Sequence, residues 1–303
     1  MKILVTGARG QLGHDVMMEL CRRGHSVVGS GTAPQYGGMT ENDPVAEMPY
    51  VAMDITREDA VRSTVAALRP DGVIHCAAWT GVDAAEEEEN IPRVWEVNVL
   101  GTANLARACR DAGCKLLYVS TDYVFDGQGT EPRKPEDPCC PQNVYGWTKL
   151  EGEQAVRNTM ETWFIVRTAW VFGKNGENFV KTMLRLGKTH DSLRVVRDQV
   201  GTPTYTRDLA RLLADMIETE RYGVYHATNE GAYVSWSEFA REIFRQAGME
   251  TRVIPVTTEE YGRSKAVRPG NSRLDRSGLV ENGFRSLPDW KDALGRYLQE
   301  IEV

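Results

Sequence analysis

Tyr145 and Lys149 stand four residues apart in Asn143-Val144-Tyr145-Gly146-Trp147-Thr148-Lys149. On a helix that spacing puts both side chains on one face. A phenol can give its proton to a carbonyl oxygen under reduction. A neighbouring ammonium favours the phenolate, which lowers the tyrosine pKa toward the operating pH. The pair is therefore read as a proton donor with its lysine partner. The same spacing recurs at Tyr261 and Lys265, far downstream, and there it is read as coincidence. Upstream lies Val119-Ser120-Thr121-Asp122-Tyr123-Val124-Phe125-Asp126. Hydroxyls at the carboxyl end of a parallel strand sit where ligands bind. Thr121 is placed to hydrogen-bond a carbonyl and Asp122 a sugar hydroxyl. For Ser120 and Thr121, strand propensity and turn chemistry offer a purely structural reading.

A third motif opens the chain. Gly7, Gly10 and Gly13 space the loop Thr6-Gly7-Ala8-Arg9-Gly10-Gln11-Leu12-Gly13 as G-x-x-G-x-x-G, between a first strand and a first helix. Gly7 permits the tight turn, Gly10 lets the backbone approach a pyrophosphate, and Gly13 allows close packing of helix on strand. Backbone N–H groups at the helix start then face the anion. A nicotinamide dinucleotide is the expected cofactor, with Lys149 placed to hold its ribose. NAD-selective folds usually carry an acid after the second strand. Here that place reads Gly29-Ser30-Gly31-Thr32. With no acid there, and with Arg9 available for a 2′-phosphate, the loop leans toward NADPH over NADH. Asp54 follows an extended run, Tyr50–Met53, and reads equally as an adenine neighbour or a helix cap.

These residues need elements to position them. Strand candidates are Ile3–Thr6, Ser26–Gly29, Gly72–His75, Lys115–Val119 and Phe164–Arg167. Amphipathic segments near 11–23, 57–69, 92–112 and 145–159 alternate with them. That alternation predicts an α/β fold, a doubly wound parallel sheet of Rossmann type. Beyond 168 the pattern loosens. Helices are expected over Asn178–Lys188 and Thr206–Glu218, and strands at Leu193–Val196, Gly223–Ala227 and Arg252–Val256. Ser235–Gly248 reads as a helix with Ser235 as N-cap, Glu238 at the capping-box position and Gly248 as C-cap. The expected division is a cofactor-binding domain over 1–168, to which 196–230 crosses back, and a smaller mixed α/β substrate lobe from 169–195 and 231–303. A ligand cleft is expected between them.

Composition narrows the function classes. The 303 residues carry a net charge of −7, against the basic balance usual for nucleic-acid binders. No apolar stretch approaches the roughly 20 residues of a membrane helix, and the opening apolar run is too short for a signal peptide. A cytoplasmic protein with no nucleic-acid or membrane partner is expected. Cysteines at 21, 76, 109, 114, 139 and 140 show neither Cys-x-x-Cys pairing nor zinc spacing, so they are read as reduced structural thiols.

Taken together, the glycine loop, the Ser120–Phe125 stretch and the Asn143–Lys149 stretch resemble extended short-chain dehydrogenases/reductases. More narrowly they resemble the dTDP-4-dehydrorhamnose reductase family. Arg167-Thr168-Ala169-Trp170-Val171-Phe172, Asp198-Gln199-Val200-Gly201-Thr202-Pro203-Thr204 and Arg268-Pro269-Gly270-Asn271-Ser272-Arg273-Leu274 extend the likeness nearly end to end. The resemblance implies hydride transfer to C4 of dTDP-4-dehydro-β-L-rhamnose. It implies a catalytic set of Tyr145, Lys149 and Thr121, and substrate contacts from Thr121, Asp122, Trp170, Asn271 and Arg273. Gln11 and Leu12 join Gly10 beneath the pyrophosphate. Asp54 and Ile55 lie near the adenine, and Cys76, Ala77 and Ala78 lie along the cofactor. Asn98 is a supporting residue.

The resemblance leaves other functions open. A non-catalytic regulatory homologue, such as the β subunit of methionine adenosyltransferase, keeps much of the motif set, and epimerases or reductases of other 4-keto sugars share the loop and Y-x-x-x-K. Some family members bind magnesium through acids. Asp83 and Glu86–Glu89 are nonetheless read as a solvated helix start, with no metal ligand assigned. A homodimer stays open. Where the family often has Asn-Ala-Ala-Ala, this chain has His75-Cys76-Ala77-Ala78-Trp79. Trp79 is expected to alter the site wall and His75 to be a packed strand residue. Trp95, Trp163, Trp236 and Trp290 are read as packing.

Overall fold

The computed structural model describes residues 1–37, 44–262 and 264–301. Strands β1 (Lys2–Thr6), β2 (Ser26–Gly31), β3 (Tyr50–Ala52), β4 (Gly72–His75), β5 (Lys115–Thr121) and β6 (Trp163–Thr168) join Gly223–His226 in one sheet. All pairings within it are parallel. The order is Gly223–His226, β6, β5, β4, β1, β2, β3. The chain runs outward from β1 to β3, then restarts at β4 on the other side, so the switch lies between β1 and β4. Ligands of open α/β sheets bind above such a switch. The doubly wound parallel fold is thus observed.

Both sheet faces are covered, as a parallel sheet requires. Successive residues of β1 show the pleat. Ile3 and Val5 pack into one core with Val16 and Leu20 of helix α1 (Gln11–Arg22) and with Leu209 and Leu213 of Thr206–Ile217. Leu4 packs into a second core with Val61 and Val65 of helix α2 (Glu58–Leu68), Leu105 and Val156. A third core gathers Phe172, Val180, Phe239, Trp290 and Tyr297. Beside it Ser192–Val196 pairs in parallel with Arg252–Val256. Leu279, Phe284 and Leu287 pack with the first core, and Tyr205 with the third.

Local signals were largely read correctly. Ser235 and Glu238 make the reciprocal capping box at the start of Trp236–Gln246, and Gly248 follows its C-cap with φ +67°. The segment 92–112 departs from expectation. It is helical at Ile91–Trp95, widens to a π-turn over Glu96–Leu100 and resumes at Gly101–Ala112. Apolar spacing does not register one inserted residue, and such π-turns concentrate at functional sites. The two-residue strands at Val171–Phe172, Val200–Gly201, Thr204–Tyr205, Asn229–Glu230 and Val234–Ser235 were not predicted, being too short to show a period of two.

Candidate active site

A cleft of about 1010 Å³ opens over the carboxyl ends of β1, β4, β5 and β6. Gly7, Arg9, Gly10, Gln11, Leu12 and Gly13 line it from the first βα loop. Gly7 takes φ +67°, and a Cβ there would meet Ala77 N at 2.7 Å. A Cβ on Gly13 would lie 2.1 Å from the Gly7 carbonyl oxygen, so the helix start is folded directly onto the loop. A Cβ on Gly10 would meet only that same oxygen, at 3.2 Å. Apart from that oxygen, Gly10 faces open space in the cleft. Asp54, Ile55, Cys76, Ala77 and Ala78 line the same cleft, with Ser30, Gly31 and Thr32 at the end of β2.

Asp54 accepts from Thr56 N at 3.0 Å and Thr56 Oγ1 at 2.8 Å, and it pairs with Arg93 at 3.4 Å. It makes a local turn at the cleft edge, and the residue at the start of α2 is Arg57. Burial raises the Tyr50 hydroxyl above its ordinary pKa, and the charge of Arg9 opposes this in part.

Tyr145 and Lys149 project from the helix Val144–Thr159 into the cleft. Asn143 caps that helix, accepting from Gly146 N at 2.7 Å, while its Nδ2 donates to Val267 O at 2.8 Å. A Cβ on Gly146 would lie 2.2 Å from Tyr123 O. The small residue lets the helix touch the turn that follows β5. Thr121 ends β5, and its Oγ1 donates to Asp122 Oδ1 at 3.0 Å. The Tyr123 ring meets Tyr145 edge-on at 5.5 Å.

The electrostatics differ from the expectation of a tyrosine acidified by its lysine. Burial pushes the Tyr145 hydroxyl well above its ordinary pKa, and a hydrogen-bonding Thr121 hydroxyl opposes this only in part. Lys149 is driven down to about 7, again by burial, with Glu153 holding it up. Its Nζ donates to Val119 O at 2.7 Å and stands 4.0 Å over the Tyr118 ring. Burial takes Asp122 up to about 6, against the favourable reach of Ser272 and Thr121. No hydrogen bond of normal geometry reaches its buried Oδ2.

Trp170 forms the far wall. Its φ of +50° is rare for a bulky residue and stores strain. Its ring stacks on Trp236 at 3.6 Å and 12°, with Phe179 at 4.6 Å from Trp236. Trp236, Phe179 and Tyr123 line the cleft and were missed as site residues, while Arg268, which opens the last stretch of the family resemblance, lines it too. Only the third core's folding brings Trp236 beside Trp170, and no sequence motif marks it.

Other candidates lie elsewhere. Asn271 and Arg273 are not among the residues lining the cleft. Asn271 Nδ2 donates to Gln128 O and Glu131 O, and Arg273 Nη1 donates to Asn271 Oδ1 at 3.0 Å. The pair ties two loops together. Trp79 also stays out of the wall, its indole donating to Gly81 O at 3.1 Å. Asn98, in the π-turn, accepts from Trp79 N at 2.8 Å and donates to Thr148 Oγ1 at 3.0 Å. His75 is buried between Thr6 Oγ1 and Thr102 Oγ1, as a packed strand residue. Asp83 accepts from Ser264 Oγ, Lys265 N, Ala266 N and Arg268 Nη2. Glu86 accepts from Val144 N, and Glu87 pairs with Lys265. Asp83, Glu86 and Glu87 thus clamp distant segments together. Among the described residues no three His, Cys, Asp or Glu side chains gather as a metal site, and no helix is long and apolar enough to cross a membrane.

The RmlD substrate binding domain family matches residues 1–303. A dTDP-4-dehydrorhamnose reductase of Streptomyces griseus is 43% identical, over 96% of this chain and 91% of its own. The spore coat polysaccharide biosynthesis protein SpsK of Bacillus subtilis is 39% identical, over 99% and 97%. The crystal structure of a dTDP-4-dehydrorhamnose reductase from Bacillus anthracis in complex with NADP superposes with a TM-score of 0.87, at 40% identity and 99% coverage of both chains. With a family match over its whole length and such identities over nearly all of it, the chain belongs to the RmlD family, that of the dTDP-4-dehydrorhamnose reductases.

Proposed function

We propose that this protein is an NAD(P)H-dependent dTDP-4-dehydrorhamnose reductase, reducing the C4 carbonyl of dTDP-4-dehydro-β-L-rhamnose to give dTDP-L-rhamnose. The observation that carries this reading is the meeting of Thr121, Tyr145 and Lys149 in one cleft with the glycine loop. At about 1010 Å³ the cleft is at the upper end of small-molecule sites, in keeping with a dinucleotide and a nucleotide sugar held together.

A bound nicotinamide cofactor supplies the hydride. The chain's own residues do the rest. Thr121 hydrogen-bonds the substrate carbonyl, and Tyr145 gives the proton to the oxygen as negative charge develops there. A phenol of raised pKa stays protonated at working pH, and an alkoxide is basic enough to take its proton. Lys149 holds the nicotinamide ribose and supplies positive charge near the phenolate that remains. Asp122, with its free Oδ2, accepts from a sugar hydroxyl, and Trp170 with Trp236 forms the apolar wall against the sugar nucleotide. Gly10, Gln11 and Leu12 would underlie the cofactor's pyrophosphate, Asp54 and Ile55 would border its adenine, and Cys76, Ala77 and Ala78 would flank it.

We favour NADPH. The end of β2 offers Ser30, Gly31 and Thr32 with no acid, and Arg9 stands in the same cleft. The test is oxidation of NADPH and of NADH, in parallel, with dTDP-4-dehydro-β-L-rhamnose generated in situ. Turnover to dTDP-L-rhamnose, faster with NADPH, is expected. Cofactor binding with no turnover of this sugar would overturn the reductase assignment.

A further inference from the structure

We propose that Glu153 is a positioning residue for this chemistry, locking the catalytic helix to the ends of β5 and β6 and supplying the negative charge that Lys149 faces. The inference rests on the reductase reading above. Tyr145, Lys149 and Glu153 stand at successive four-residue intervals on Val144–Thr159, so they share one face. Glu153 is fully buried and is not among the residues lining the cleft. It therefore acts through others.

Its carboxylate is held from both neighbouring strands. Ser120 Oγ donates to Oε1 at 2.6 Å, and Arg167 donates from Nε to Oε1 at 2.9 Å and from Nη2 to Oε2 at 2.7 Å. Ser120 and Arg167 are register partners across β5 and β6. Ser120 immediately precedes Thr121, so one carboxylate fixes the helix that carries Tyr145 and Lys149 to the strand that carries Thr121. Arg157, half-exposed, stands 3.7 Å from Oε2.

The groups facing Lys149 leave Glu153 as its carboxylate neighbour. From β4 and its end come His75, kept neutral by burial at about 3, and the Cys76 thiol, pushed up to about 12 by burial. From β5 come the Tyr118 ring and the Val119 carbonyl. Asp122 stands against Tyr145 instead. Glu153 is the largest influence raising Lys149 against its burial. A buried lysine lacking that charge loses its proton more readily.

The test follows Lys149 directly, by carbon NMR of lysine labelled at Cε, and follows the pH profile of turnover. The wild type is compared with Glu153→Gln, Glu153→Asp and the double variant Glu153→Gln with Arg167→Met, which removes both buried charges. Expected is a fall of about one pH unit or more in the Lys149 midpoint for Glu153→Gln, a smaller fall for the double variant because the opposing charge of Arg167 goes too, and partial recovery for Glu153→Asp. The alkaline limb of kcat/KM moves down by the same amount. A folded Glu153→Gln, by its melting curve, whose Lys149 midpoint stays at the wild-type value overturns the proposal. Should Glu153→Gln not fold, the double variant decides it by its smaller fall, an unchanged midpoint again overturning the proposal. The NMR arm needs no substrate, so a wild type inert toward the sugar sinks the reductase reading and leaves this result separate.

Discussion

Lys149 donates from Nζ to the carbonyl oxygen of Val119 at 2.7 Å, so the ammonium is anchored to the strand beneath the helix. The Tyr145 hydroxyl instead keeps company with Thr121, while Asp122 and Tyr123 disfavour its phenolate. The tyrosine is a well-protonated donor, and the lysine is a charge poised near neutrality.

Removing the donor alone separates chemistry from binding. Tyr145→Phe keeps the ring that meets Tyr123 edge-on and loses only the hydroxyl. General acids contribute about 10²–10⁴-fold. Turnover is expected to fall by that factor, with NADPH affinity by titration within about threefold, because the glycine loop is untouched. Turnover near wild type would remove Tyr145 from the acid's role.

The aromatic wall gives a second test. Trp236 stacks on Trp170 at 3.6 Å and braces a residue held at φ +50°. Aromatic pairs contribute about 0.5–1.5 kcal/mol beyond their buried area. Trp236→Ala is expected to raise KM for the sugar nucleotide by about 3–10-fold, with cofactor affinity unchanged. An unchanged KM would show that the wall plays no part in holding the substrate.

Much of this was legible in the residues. The glycine loop, the strand–helix alternation and the capping box at Ser235 are local signals, decided by neighbours within a few positions. That Thr121, Tyr145 and Lys149 meet in one cleft was legible because the motifs that carry them recur at fixed spacings. What escaped was long-range. Trp236 reaches the cleft only because the third core closes on Trp170, and Asn271 turns away from it to serve carbonyls near position 130. The tyrosine's pKa was misjudged for the same reason. Spacing reveals a lysine on the same face, but not the burial that outweighs it.

Two buried histidines make stability depend on pH. His75 lies between two threonines, and His226 lies beside Arg167 with Nδ1 near Arg133 O. Burial holds each at about 3 when folded, against 6.5 ordinarily. Below 6.5 the unfolded chain takes up protons that the folded chain refuses, so stability falls with falling pH, by up to about 1.4 kcal/mol per pH unit for each histidine. Asp122, at about 6 when folded, works in the opposite sense below pH 6 and offsets one of the two. Urea unfolding is expected to show about 1–2 kcal/mol lost between pH 6.5 and 5, above the window of the ordinary carboxylates. The double variant His75→Gln with His226→Gln should abolish that loss, and a flat wild-type curve would contradict the assignment.

The glycine loop offers a contrast within the seven residues Gly7–Gly13. A methyl on Gly13 would collide with the Gly7 carbonyl oxygen at 2.1 Å, in a backbone that cannot step aside without moving the start of α1. A methyl on Gly10 meets the same oxygen at 3.2 Å, a distance relieved by a few tenths of an ångström, and otherwise points into the open cleft, where the proposed cofactor would lie. The two substitutions to alanine should therefore fail differently. Gly13→Ala is expected to cost about 1–3 kcal/mol of stability by overpacking, read as a lowered melting temperature with or without cofactor. Gly10→Ala should melt close to wild type and yet bind NADPH about tenfold or more weakly, because the methyl stands where the pyrophosphate approaches the backbone. Equal losses of stability in the two variants would mean that Gly10 is kept for packing and that the anion lies elsewhere along the loop.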